Sequence, residues 1–240
     1  GVPIEAQTQL ANILNIPLIY FFTKKLFGKT SVALMSAFIF AVSFEAVQYG
    51  RWLSNPGPAL LSIAVFYYGA WLVLHKKSIG IGLMLVGAGA SMQLELFLLS
   101  LSLFFIFIVA YFLTKVKFKA LITRTNLALA GLAAVLYSPF LISELKFKFQ
   151  ATHAITGFFS KAGGEIRDLH FIMSKLLRFV DSLVLNVSSN ILDFSRVIAQ
   201  ILLAALAIFV LWSILKNKKD RGPTVFLTLW LLSPALLYIF

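Results

Sequence analysis

What most constrains this chain is the recurrence of apolar runs on the scale of a bilayer, separated by short basic connections. A spanning helix needs about 17 to 25 predominantly apolar residues, and stretches reaching or approaching that length recur about eight times. They are residues 9–22, 31–47, 58–74, 79–92, 96–113, 126–142, 197–215 and 223–240. Charged residues make up only 12% of the chain, where a soluble domain carries about 25%, and the mean hydropathy is +0.92. The composition argues against a water-soluble fold. The expectation is an all-α fold: a polytopic transmembrane helical bundle forming one domain over residues 1–240, with an extracytoplasmic loop over 143–196.

The net charge of +12 would suit a nucleic-acid binder, but the placement of the bases argues otherwise. With the first run directed inward, one side of the membrane holds Lys24, Lys25 and Lys29, then Lys76 and Lys77, then Lys115, Lys117, Lys119 and Arg124, then Lys216, Lys218, Lys219 and Arg221. The two short connections opposite hold only Arg51. Under the positive-inside rule the basic connections are cytoplasmic. The expected partner is therefore the bilayer and not nucleic acid. The polar opening at 1–9 lacks the pattern of a removable signal peptide. Gly1 is no natural initiator and Phe240 ends an apolar run without a polar flank, so the chain reads as the middle of a longer protein. The absence of cysteine excludes a disulfide framework and thiolate metal sites.

Residues 79–113 could form one long helix, but Lys77 before them and Lys115 after them both belong on the cytoplasmic side. The stretch must fold back as a hairpin, and Gln93-Leu94-Glu95 is the polar break available for its turn. The first arm carries Gly80, Gly82, Gly87 and Gly89, and the Gly87–Ser91 spacing is one that lets helices approach closely. The segment 143–196 is too polar to span. Within it Leu169, Ile172, Met173, Leu176, Val180, Leu183 and Val187 recur at helical spacing, with Arg167, Lys175, Arg178 and Asp181 on the other side. That is the pattern of an interfacial helix on the outer membrane surface. It serves either as a membrane-resting lid or as a wall of a lipid-substrate entrance.

Once the topology is set, Glu5, Glu45, Glu95 and Glu144 all fall at the extracytoplasmic rim, beside Gln9, Gln48, Tyr49, Arg51, Asn55, Gln93, Lys146, Lys148 and His153. Side-chain chemistry, if used, belongs at that rim. Positive-inside sorting alone would leave acids conspicuous there, so no single glutamate stands out by location. Gln93 and Glu95 do stand out, because they sit in a tight turn near membrane depth where an ionisable group is expensive. Gln9, Asn12 and Asn15 line one face of the first run, which should point into protein or a water-filled cavity. There is no Gly-rich phosphate loop, His-x-x-x-His pair, Gly-x-Ser-x-Gly elbow or pair of aspartates. His75, His153 and His170 lie far apart, so neither a metal nor another cofactor is expected.

The order of the runs, the turn Tyr49-Gly50-Arg51-Trp52-Leu53-Ser54-Asn55-Pro56, and Gln93-Leu94-Glu95 closing a glycine-rich run together resemble the GT-C superfamily of lipid-linked-sugar glycosyltransferases. Within it the similarity is to bacterial relatives of the protein O-mannosyltransferases and of the aminoarabinose transferase. The resemblance implies transfer of a sugar from a polyprenyl-phosphate donor to a glycan, lipid or protein acceptor at the outer face of a bacterial plasma membrane. It implies a catalytic acid in a first outer loop upstream of Gly1. Glu95 stands where relatives often carry His and is the candidate catalytic residue within the chain. A lipid phosphate is already a good leaving group, so such an enzyme needs a carboxylate base for the acceptor and cations for the departing phosphate. Arg51, Lys146 and Lys148 are the candidate phosphate cations, and Gln48, Asn55, Gln93 and Glu95 the candidate partners of sugar or acceptor hydroxyls. Two rival readings stand beside this one. A transporter or lipid flippase would use Pro17, Pro139 and Pro234 to break helices around a midplane site, and a non-catalytic membrane assembly protein would need no site.

Overall fold

The computed structural model describes residues 4–43, 47–48, 59–94, 100–115, 121–154, 156–157, 169–191, 196–216 and 221–232. All regular structure among them is helical. The helices are α1 (Ile4–Phe27), α2 (Thr30–Val42), α3 (Ala59–Leu74), α4 (Ile79–Leu94), α5 (Ser100–Lys115), α6 (Arg124–Lys146), α7 (Leu169–Ile191), α8 (Arg196–Lys216) and α9 (Arg221–Leu232). Each apolar run overlaps one of these helices, although α2 ends at Val42, short of the run 31–47, and residues 96–99 and 233–240 lie outside the described residues; α7 is the amphipathic helix of the polar loop. Among the described residues, α6 is the one helix that combines the length and the apolar composition needed to cross a membrane.

The centre is a seam of backbone contacts around α4. Gly80 and Gly87 are seven residues apart, two helical turns, and so share a face. Across from them lies α3. A Cβ on Gly69 of α3 would sit 2.6 Å from the Gly80 carbonyl oxygen, and one on Gly87 would sit 2.7 Å from the Phe66 amide nitrogen. The hydroxyls of Ser62 and Ser91, both buried, close the same seam at 2.7 Å. The Gly87–Ser91 spacing is thus a packing device, as expected. A second face of α4 holds Gly82 and Gly89, where added Cβ atoms would meet Leu129 at 2.6 Å and Tyr137 at 3.0 Å of α6.

That second seam sets the chain direction. Residue 82 lies beside 129 and residue 89 beside 137, so α4 and α6 run parallel. The intervening α5 must return from one end of the bundle to the other, which is the fold-back anticipated for 79–113. An aromatic cluster ties in α1 and α9: Tyr67 stacks on Trp230 at 4.4 Å, Trp71 meets Phe226 at 5.3 Å, and Phe22 meets Tyr68 at 5.4 Å. Phe22 and Trp71 are near the ends of α1 and α3, and Phe226 is near the start of α9. These termini therefore gather at one end of the bundle, with the starts of α4 and α6. Lys24, Lys25, Lys29, Lys76, Lys77, Arg124 and Lys216 all belong to that end.

The periphery differs from the centre. On α2, Leu34, Met35, Phe38 and Val42 are exposed, and on α6 so are Leu127, Leu132, Val135 and Ile142. On α8, Ile201, Ile208 and Leu215 are each more than half exposed, Leu215 reaching 80%. The amphipathic α7 packs on α8 and buries Phe179 and Val184, while Met173, Leu177 and Val180 stay exposed. Its protein-covered edge is thus displaced from the stripe read off the sequence, and part of that stripe faces outward.

Candidate functional site

The end opposite the lysines is where the candidate site residues converge in sequence, and α6 supplies its best-defined part. Beyond the apolar run 126–142 the helix ends at Lys146, and the chain reverses through Lys148 (φ 51) and Phe149 (φ 61). Two consecutive left-handed residues that are not glycine cost about 1–2 kcal/mol each. Glu144 offsets the strain by taking four donors. Its carbonyl accepts from the Phe149 amide at 2.7 Å. Its carboxylate accepts from the Thr152 hydroxyl at 2.5 Å and from the amides of Thr152 and Ala151 at 2.9 and 3.0 Å. Those amides open the helical turns at 150–154, so Glu144 acts as a cap on their unsatisfied N–H groups.

The Thr152 hydroxyl holds the Glu144 carboxyl below the usual carboxylate range; burial opposes it, and the two amides and the positive field of His153 assist. A carboxylate so committed is an anchor and a poor proton acceptor. What it anchors is a cationic turn: Lys146 and Lys148 are exposed around it, as is the His153 ring, with the Lys146 ammonium 5.6 Å from the Phe147 ring centre.

Gln93 has a different assignment from the one its sequence context gave it. α4 continues through Leu94, with no glycine or proline between Ala90 and Leu94 to end it earlier. Gln93 is therefore in the last helical turn and not in the reversal. Its Nε2 donates to the Leu136 carbonyl of α6 at 2.7 Å. The reason lies at Pro139, which has no N–H to give the Val135 carbonyl and whose ring crowds that carbonyl. The Ser138 hydroxyl takes over the Val135 oxygen at 2.8 Å, and Gln93 binds the carbonyl next to it. The Ser-Pro pair was the sequence signal for this arrangement. Leu136 and Lys146 are ten residues apart, or about 15 Å of helix, so the structure does not bring Gln93 together with the cationic turn. Gln48 is exposed in a helical turn after α2, where the Val47 amide bonds the Ser43 carbonyl at 3.0 Å. Arg51, Asn55 and Glu95, like Glu45 and the whole Tyr49–Pro56 turn, lie outside the described residues. Of the polar face expected on α1, Asn15 is buried, Asn12 half-buried and Gln9 exposed.

A cavity of about 430 Å3 opens between α7 and α8, lined by Leu177, Arg178, Val180, Asp181, Val184 and Gln200. Its lining joins apolar side chains to an arginine, an aspartate and an amide, a mixture of apolar and polar surface. Among the described residues no three His, Asp or Glu side chains come together. No protein-family model, curated protein or solved structure matches the chain. The functional reading therefore rests on its own residues.

Proposed function

We propose that this chain belongs to a multi-pass membrane glycosyltransferase that moves a sugar from a polyprenyl-phosphate donor to an acceptor at the extracytoplasmic face. The observation that carries the reading is the polarity of the bundle. The basic helix termini gather at one end, the signature of a cytoplasmic face, and the strained, carboxylate-anchored turn bearing Lys146 and Lys148 belongs to the opposite end of α6. The outward apolar faces of α2, α6 and α8 support about eight crossings, since contiguous exposed apolar surface on this scale marks membrane contact. In this reading the short helices cross with help from their flanking residues, and the cavity under α7 admits the lipid donor.

Lys146 and Lys148 are the candidate cations for the departing phosphate that lie among the described residues, and Arg51 remains the third. Lysine serves as a point charge here, whereas the guanidinium of Arg51 would bind phosphate as a fork. The acceptor must lose a proton as its oxygen attacks the sugar carbon, and the phosphate leaves with the bonding pair. Glu144 is not assigned that proton, because three donors already occupy its carboxylate. The transporter alternative asks for helices broken at proline, and α1 and α6 run unbroken through Pro17 and Pro139, while Pro234 lies outside the described residues.

Two measurements test the proposal. Single cysteines at Ser54 and Ser78, in a chain with none of its own, should differ toward an impermeant thiol reagent on intact cells, with only Ser54 labelled. The reverse pattern overturns the orientation. In transfer assays with a polyprenyl-phosphate sugar, Arg51→Ala or the Lys146→Ala/Lys148→Ala pair should lower turnover by about ten- to a hundredfold, the effect of removing a charge-assisted contact. Unchanged transfer and donor binding in both variants would sink the phosphate assignment.

A further inference from the structure

The lysine-bearing end of the bundle holds a second cavity, of about 400 Å3, that the proposed transfer does not use. It lies between the α1–α2 turn with the start of α2, the second half of α8, and α9. Its volume is within the roughly 300–1,000 Å3 of small-molecule sites. Its chemistry is graded along its length. At its lysine end stand Thr224, the exposed Lys29 and the buried Ser213, the two hydroxyls 3.3 Å apart. Leu206 and Leu231 also line it, each seven residues from that hydroxyl pair, which puts them about 10 Å deeper along α8 and α9. Lys24, Lys25 and Lys216 add positive charge to the same end of the bundle.

A free phosphate would leave the apolar depth unfilled, and a neutral hydrocarbon would leave the cationic rim unmatched. We propose that this groove binds one anionic phospholipid, with an acyl chain between α8 and α9 and the phosphate at the Lys29 rim. The inference rests on the membrane reading above but not on sugar transfer. In that orientation the rim is level with the cytoplasmic headgroups, where each nearby basic residue strengthens binding to anionic lipid about fivefold.

Trp212 lines the groove and reports on it. The native chain and Trp212→Phe, each in phosphatidylcholine bilayers, are titrated with brominated phosphatidylglycerol or brominated phosphatidylcholine, and the difference in fluorescence isolates Trp212. Quenching by the anionic lipid should reach its midpoint at about fivefold lower mole fraction, and Lys29→Ala should remove that preference. Val210→Phe, which fills the groove, should remove it as well. Equal quenching by both lipids, or an unchanged preference in Lys29→Ala, overturns the proposal. As a measurement independent of the variants, native mass spectrometry of the unmodified chain should retain one phosphatidylglycerol in preference to phosphatidylcholine, and equal retention also overturns it. Loss of sugar transfer leaves these readouts untouched, whereas a chain that fails to enter phosphatidylcholine bilayers at all would refute the membrane reading instead.

Discussion

Helices α4 and α8 look alike in hydropathy, yet they occupy opposite situations. α4 is enclosed by α3 on one face and α6 on another, and half of its residues are buried. α8 leaves nearly its whole length exposed, alanines included. Hydrophobicity does not separate the two, because lipid tails and protein interiors reward apolar side chains equally. Glycine does. The pairs Gly80/Gly87 and Gly82/Gly89 give α4 two faces on which other backbones can rest, and α8 has no glycine at all. In lipid, where helix association depends on close packing, that difference selects which helix becomes the core.

The largest effect should come from closing the α4 seam. Gly87→Val puts a branched side chain where even a Cβ lies 2.7 Å from the Phe66 backbone, and neither backbone can yield cheaply. The cost should reach about 3 kcal/mol, the upper part of the overpacking range, read as loss of helicity and of monodispersity on thermal unfolding in detergent. Ala204→Val on α8 should stay within about 0.5 kcal/mol. Similar losses at the two sites would abolish the distinction between them.

A second test asks what covers α8. Ile208 is 68% exposed near the middle of that helix, and Ile208→Lys should cost about 2.5–3.5 kcal/mol of membrane insertion if the face meets hydrocarbon. A glycosylation- or protease-mapped insertion assay reads it directly. Insertion unaffected by the lysine would mean that water or protein covers this face.

These two helices also mark how far the sequence was legible. Over the described residues each run was readable as a helix, in existence if not in its bounds, because apolar length and basic punctuation are local properties. Gly87 and Ser91 were legible as packing residues from their spacing. Which face of α4 meets which neighbour was not, since α3 and α6 compete for the same glycine-rich helix and only the three-dimensional arrangement decides. The polar residues were harder to read. Gln93 stood out as a polar group near the end of an apolar run and Glu144 only as one of four acids at the same rim; Gln93 is answered by a carbonyl beside the Pro139 defect, and Glu144 by two amides and the Thr152 hydroxyl just past a left-handed turn. Such partners are contributed by residues 43 and 7–8 positions away, and no side-chain pattern announces them.

Gln93 offers a smaller and sharper effect. If it bridges α4 to the proline-distorted α6, Gln93→Leu should cost about 0.6–1.7 kcal/mol, the range for hydrogen bonds between helices in membranes. Ser138→Ala should add to that cost, because both side chains serve carbonyls disturbed by the same proline. In the transfer assay Gln93→Leu should lower activity no more than its loss of folded protein explains. A steep fall in turnover with unchanged stability would return Gln93 to the substrate site.

The smallest effect is expected at Glu144, where the anchored turn is solvent-exposed around its buried carboxylate. Its carboxyl titrates lower in the folded chain than in the unfolded one, so its contribution is fully present above about pH 4.5 and is lost as pH falls through the depressed folded value. The amides of Ala151 and Thr152 report this directly. Their protection from hydrogen exchange, corrected for the intrinsic pH dependence of exchange, should hold from pH 7 to about pH 5 and fall only as the pH drops through the lowered titration of the carboxyl. Glu144→Ala should show the low-pH protection at every pH, and Glu144→Gln an intermediate, pH-independent value, since an amide oxygen still accepts but carries no charge. Equal protection in Glu144→Ala and the native chain at pH 7 would mean that the turn stands without its anchor. The carboxylate would then be available for proton transfer, and the cationic turn would have to be held by the Phe149 amide bond to the Glu144 carbonyl alone.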